Sequence, residues 1–380
     1  MRKHYLDNIR WITVVVVALY HVIYMYNAEE IPGVVGKITN LDVQYYDVFL
    51  YAVYPWIMMM LFIVSGISSR LYLEKNSDSE FIKSRTTKLL VPSTVGLFAF
   101  QFIQGFLNAS ISGVFINQEM PFFVKVLICI LSGISVLWYI QLLWIFCVAL
   151  VFVRKIEKDR LWNLCKSPAS QKTSIINTGK TALNIIAMFL IMLIAAQVLN
   201  TPLIVVYRFG LYGAAFLLGY FVFSHDEVIE KLKKAFVPLL VIAVGLGIAF
   251  CIINFGKNYA DKPVNCSLLF VAYGYFSCIA ILGGFSKYFD FENNFTCWMN
   301  KRSFALYVFH YLGISFVAVF LAKPGLIPAF VAYPLSLIAS FVFSYLLNEI
   351  VSRLPFFRWA VLGIKKKKNS SHVSPATNGK

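Results

Sequence analysis

Arg10 and His21 are the side chains near the start of the sequence best suited to chemistry. Both belong to a mainly apolar stretch, where polar groups are costly and need a reason. Eleven positions at about 100° each come to about 1,100°, about 20° past three full turns, so on one helix the two side chains share a face. The rise between them is about 16.5 Å. A guanidinium at the mouth of such a face can bind phosphate oxygens bidentately. A deeper imidazole can take the proton of a hydroxyl as that oxygen attacks an acyl carbon, or can itself become acylated. This spacing suits a donor with a charged head and a long thin arm, such as an acyl-CoA. The plainer alternative is that Arg10 marks the cytoplasmic side and His21 bonds a neighbouring helix.

Other polar residues fall inside apolar runs. Ser303, Tyr307 and His310 are three and four residues apart and can line one helical face. His310 is placed to orient His21, to bind an acyl carbonyl, to contact an acceptor, or only to pack. Ser65-Gly66 suits close helix approach; Ser65 has no evident base beside it and is not read as a nucleophile. Arg208, between Tyr207 and Phe209, either snorkels outward or binds an anionic or sugar acceptor. Trp138 and Tyr139 suit stacking on a substrate or anchoring at the interface. The sequence carries no nucleotide-binding P-loop, dinucleotide fingerprint or clustered metal ligands. No metal is therefore expected.

The elements that must position these groups are membrane helices. The 380 residues are 59% hydrophobic, 17% aromatic and only 14% charged, against about 25% charged in soluble domains. Apolar stretches of about 20 residues suffice to cross a bilayer. The expected fold is an all-α polytopic membrane helix bundle with ten spans, falling within Trp11–Ala28, Val48–Ser69, Leu89–Gln118, Val126–Val153, Thr181–Thr201, Pro202–Ser224, Ala235–Gly256, Pro263–Ser286, Ser303–Ala322 and Pro324–Asn348. The Asn200-Thr201-Pro202 turn divides the fifth from the sixth. Asn117 to Pro121 and Ser132-Gly133 interrupt the third and fourth, so Phe122–Leu131 also reads as an interfacial or re-entrant piece.

With the N-terminus in the cytoplasm, the outer loops hold only Lys37, Lys125, Lys257, Lys262 and Lys323. Nearly all other basic residues face inward, which places both termini in the cytoplasm by the positive-inside rule. The net charge of +16 is thus a membrane signature, and no nucleic-acid partner is expected. Residues 1–364 form the membrane domain and 365–380 a basic, disordered tail, in which Lys365 to Lys368 would meet anionic headgroups. The first span lacks a small-x-small cleavage site after Tyr26 and reads as an uncleaved helix. Of the seven cysteines, none is paired as C-x-x-C; Cys266, near an outer loop, leaves an isolated disulfide open. No internal repeat is evident.

The segment from Arg2 to Arg10, followed by His21, resembles the opening of the integral-membrane acyltransferase family 3. That family includes bacterial O-antigen O-acetyltransferases and the glucan biosynthesis protein C group. Three further segments are similar in order: Leu61-Phe62-Ile63-Val64-Ser65-Gly66 to the family's Phe-Ile-Ser-Gly, Trp138-Tyr139 with Leu142 to its Trp-Phe-Leu, and Ser303 to His310 to its late Ser-Tyr-x-x-Tyr-Leu-x-His helix. Val136 stands where a histidine often precedes the Trp segment. The resemblance implies that Arg10 and His21 are both required. It also implies that the basic run after the second helix, Lys83 to Lys88, handles the acyl-CoA, with Arg85 the first choice and Lys88 the second.

Together these readings describe a membrane-bound acyltransferase in the cytoplasmic membrane. Its donor would be cytoplasmic acetyl-CoA or another acyl-CoA, with acetyl ahead of succinyl. Its acceptor would be a hydroxyl on an extracytoplasmic glycan, lipid or small cell-envelope metabolite. The rival is a polytopic transporter or flippase that uses the same cavity without breaking a covalent bond. Oligomeric state is not legible.

Overall fold

The computed structural model describes residues 3–29, 33–115, 120–158, 160, 174–199 and 207–364, the side chains of 174–182 excepted. Among these residues every extended element is helical. Eight helices are long and apolar enough to cross a membrane. They are α1 (His4–Met25), α2 (Val48–Leu73, entered through a short turn from Tyr45), α3 (Asp78–Ile111), α5 (Trp138–Glu157), α9 (Phe236–Asn254), α10 (Leu268–Tyr288), α11 (Asn294–Val317, extended to Ala322) and α12 (Ala329–Arg353). The expected fifth and sixth spans coincide with α6 (Ser174–Ala195) and α7 (Phe209–Phe221), whose apolar stretches among the described residues are shorter. The Asn200-Thr201-Pro202 turn, Cys165, Arg2 and the tail from Lys365 lie outside the described residues. Among the described residues there are also the short helices α4 (Phe122–Ser132), α8 (Asp226–Lys234) and α13 (Pro355–Leu362).

One expected span changes. The stretch Val126–Val153 is not one helix: α4 ends at Ser132, and a new helix begins after Ser135, whose φ is +30°. The reason is local. Gly133 approaches the Gln101 carbonyl of α3 so closely that a Cβ would collide with it, and Asn108 donates from Nδ2 to the Ser132 carbonyl at 2.9 Å. The end of α4 is thus capped by α3 rather than continued.

Two helices also start earlier than their apolar runs. α1 begins at His4, because its first polar turns pack on the segment between α10 and α11. Asn8 donates to the carbonyls of Phe289 and Phe291, and the Tyr5 amide donates to Asp290. Arg10 therefore lies nearly two turns inside α1 rather than at its start. α11 starts at Asn294 under a capping box formed by Asn293 and Thr296, which leaves His310 deep within a long helix.

Helices α2, α10 and α11 are the most buried of the spans, and α9 and α12 are the least. α2 lies against α1, α7 and α10, while α11 lies against α1 and α12. Glycine sets the α2–α7 contact. A Cβ on Gly66 would strike the Phe216 carbonyl, and one on Gly219 would strike the Ile63 carbonyl. This is the close approach that small residues permit in membranes. Cys266 is a free thiol.

The chain alternates between two ends of the bundle. At the end where α1 starts, Lys3 pairs with Asp226 and Arg154 pairs with Asp78. At the far end, Lys323 donates to the carbonyls of Ser110 and Ile111. There Tyr51 also hydrogen-bonds Glu29 and accepts from the Gly256 amide. Burial pushes the Glu29 carboxyl above the usual carboxylate range, and the Tyr51 hydrogen bond draws it partly back.

The α2–α7 geometry gives a paired prediction. Gly66→Ala should destabilise the protein by about 1–3 kcal/mol through overpacking. Gly245→Ala, where an added methyl meets nothing, should leave the thermal midpoint of the purified protein in detergent unchanged or raised. Equal behaviour of the two variants would contradict the packing described.

Candidate active site

His21 on α1 and His310 on α11 meet inside the bundle. His310 is fully buried. Its Nδ1 lies 3.0 Å from the Leu306 carbonyl and 2.9 Å from that of Tyr307. Carbonyl oxygens only accept, so Nδ1 of His310 carries the ring proton and Nε2 presents a lone pair. That lone pair sits 3.0 Å from Nδ1 of His21, which also lies 2.9 Å from the Val17 carbonyl. His21 Nδ1 must therefore be the protonated nitrogen, donating to both. Its Nε2 is left as the basic nitrogen, and among the described residues no protein group bonds it.

His21 lines a cavity of about 700 Å³ at the far end of the bundle, a volume ordinary for a small-molecule site. Aromatic rings hold the imidazole in place. Tyr311 lies 5.1 Å away between centroids, Tyr20 5.4 Å and Tyr24 6.3 Å. Tyr54, Met58 and Trp138 also form the wall, with Asn108, Ser112, Ser135, Asn258 and Asp261 giving it a polar side. An imidazole with a fixed tautomer, its free nitrogen on a cavity of this kind, can accept the proton of a bound hydroxyl.

Arg10 is not part of that wall. It lies toward the opposite end, paired with Asp7 at 2.7 Å and hydrogen-bonded to Ser68 of α2. Between the two levels runs a seam of tyrosines. Tyr139 hydrogen-bonds Ser65 at 3.0 Å. Its ring lies 5.7 Å from Tyr307, which is 6.5 Å from the His310 ring and bonds the Val136 carbonyl. The structure thus brings His310 into contact with His21 and places Tyr307, Tyr139 and Ser65 in a row beyond it, while Arg10 shares helix α1 with His21.

Arg85 ends the first α-helical piece of α3, with its guanidinium 5.1 Å from the Phe81 ring and 5.7 Å from Tyr72. Among the described residues its buried Nε has no hydrogen-bond partner. Thr86 to Leu90 then form a π-helical turn that exposes Lys88; such turns recur at functional sites. Among the described residues Ser303 bonds the Asn300 carbonyl of its own helix and makes no contact with His21. Arg208 corrects the snorkelling alternative: it is only 1% exposed and caps the start of α7 inside the bundle. Its neighbours are aromatic and hold it there, so it does not reach a surface. Tyr54, Tyr24 and Tyr311 were not singled out in the sequence. Their chemistry depends on what faces them, which a run of tyrosines does not disclose.

These features describe a multi-pass membrane protein with a hydrogen-bonded imidazole pair beside a cavity. A family model described as an acyltransferase domain matches residues 3–349, nearly the whole chain. The chain belongs to the integral-membrane acyltransferase family 3. Comparison with curated proteins and with solved structures gives no match. Among the described residues no group of three His, Cys, Asp or Glu side chains is arranged to hold a metal ion.

The imidazole pair has a measurable consequence. His310→Leu should lower kcat for acyl transfer on the order of 10²-fold, with little change in the donor KM. His310→Gln, which retains an acceptor for His21, should recover part of the loss. Equal kinetics for both variants and the unaltered chain would show that the pair is a packing contact.

Proposed function

We propose that the chain moves an acetyl group, or secondarily a succinyl group, from cytoplasmic acyl-CoA to a hydroxyl of an extracytoplasmic glycan or cell-envelope acceptor. The observation that carries this reading is the His310–His21 hydrogen bond, which leaves His21 Nε2 basic on the cavity wall. The donor enters from the end that bears Arg10, Arg85 and Lys88, whose cations meet its phosphates. Its arm follows the seam past Tyr139 toward His21. The acceptor occupies the far cavity, where tyrosines and amide side chains suit a polyhydroxylated molecule.

In the transfer, the acceptor hydroxyl gives its proton to His21 Nε2 as its oxygen attacks the thioester carbon. The new C–O bond forms, the C–S bond breaks, and the thiol of CoA leaves with the proton His21 held. Both termini lie in the cytoplasm under this reading, and the bilayer is the cytoplasmic membrane.

The test is acyl transfer by the purified protein in liposomes, supplied with labelled acetyl-CoA and candidate acceptors on either side. His21→Ala should reduce transfer by about 10²- to 10⁴-fold. Arg10→Ala should mainly weaken the donor, raising its KM about 10- to 100-fold for the loss of a charged hydrogen bond. Movement of an acceptor across the liposome membrane without acylation would replace this reading with transport.

A further inference from the structure

Arg208 is a buried cation with almost nothing to neutralise it. Among the described residues its Nη2 donates to Tyr54 Oη at 2.6 Å, and its buried Nε has no partner. The guanidinium otherwise faces rings: Tyr54 and Phe270 at 5.1 Å and Tyr212 at 5.8 Å. Among the described residues no carboxylate pairs with it. Burying a charge without an opposite charge is expensive, and cation–π contacts, about 2 kcal/mol each when desolvated, offset part of that cost. Unlike a carboxylate, however, the rings do not cancel its field. The positive potential persists just behind Tyr54.

Tyr54 belongs to the wall of the cavity that also holds His21. The Tyr20 ring stands next to both, 5.4 Å from His21 and stacked on Tyr54 at 6.1 Å. Because Tyr54 Oη accepts from Arg208, its own hydrogen must point elsewhere. Among the described residues no protein group receives it. Tyr54, its hydroxyl held by a cation and its proton without a described acceptor, thus lines the same cavity as His21. A donor preset in this way is what a developing oxyanion requires.

We propose that Tyr54, held and polarised by Arg208, is the hydrogen-bond donor that stabilises negative charge on the acyl carbonyl oxygen during transfer. The inference rests on the acyl-transfer reading of the cavity. As the acceptor oxygen bonds to the carbonyl carbon, the carbonyl π electrons move onto its oxygen, and Tyr54 O–H donates to that oxygen without losing its proton. When the C–S bond breaks, the carbonyl re-forms and the hydrogen bond weakens. The acceptor's proton goes to His21 throughout. Arg208 touches no reacting atom and is a positioning residue.

The experiment compares variants of the full chain in liposomes, with acetyl-CoA as donor, maltotriose as the probe acceptor and free CoA thiol as the readout. Tyr54→Phe removes one oxygen and keeps the ring. It should lower kcat about 10²- to 10³-fold, the usual loss for one oxyanion donor, at unchanged KM for acetyl-CoA and unchanged thermal midpoint. Arg208→Met should lower kcat as well, and in the double variant should add little to the loss caused by Tyr54→Phe, because it acts through that hydroxyl. If Arg208→Met fails to fold, the Tyr54→Phe split between kcat and KM still decides the matter. A Tyr54→Phe kcat within twofold of the unaltered chain overturns the inference alone. An unaltered chain that releases no thiol overturns the acyl-transfer reading, and the inference falls with it.

Discussion

The hydrogen bond between His310 and His21 is the interaction around which the rest of the molecule makes sense. It joins helices from opposite ends of the sequence, 289 positions apart. Neither imidazole could be left alone in hydrocarbon without loss, since unsatisfied polar groups there cost several kcal/mol. Each ring meets that need through backbone carbonyls one turn back on its own helix, and the two then share a single proton direction. The carbonyls of Leu306 and Tyr307 fix His310, His310 fixes His21, and one nitrogen remains for a ligand. A chemical directionality has been built from helix carbonyls and two rings, without a carboxylate.

The same logic explains the division of the bundle into two ends. In the proposed reaction a thioester donor and a hydroxyl acceptor would meet at one carbon, yet their other parts would have opposite needs: phosphates want cations, and a polyol wants neutral donors and rings. Arg10, Arg85 and Lys88 stand at one level, and the cavity with Asn108, Ser112, Asn258 and Asp261 at the other. α2 serves both levels, offering Ser68 to Arg10, Ser65 to Tyr139 and Tyr54 to the cavity. Its tight glycine-mediated seat against α7 holds the helix that carries all three contacts.

How much of this the sequence disclosed follows from what each feature depends on. The helices were legible because lipid demands long apolar runs, and α1 with Arg10 and His21 was legible because helical periodicity is a local property. His310 was visible as a polar residue on a helical face. Its bond to His21 required knowing that α11 packs on α1. The break between α4 and α5 was only half visible. Ser132-Gly133 announced an interruption, but the backbone contact with Gln101 that enforces it comes from another helix. The early starts of α1 and α11 were hidden for a similar reason: polar turns that hydropathy assigns to water are held here by protein.

Arg208 shows the limit most clearly. In sequence it is an arginine near a span's outer end, and a long flexible cation in that position ordinarily turns to the interface. Whether it turns out or in depends on the enthalpy offered inside, and here three rings and a phenol oxygen offer enough. None of these partners is near it in sequence except Tyr212. A packing account of the cage faces a difficulty, because a methionine or leucine would fill the same space without bringing a charge. What an arginine adds is a field, and a field in a low-dielectric wall acts on whatever charge forms beside it. Tyr54 bonds Arg208 and lines the cavity that His21 also lines, so under the proposed reaction that field would reach the charge formed there.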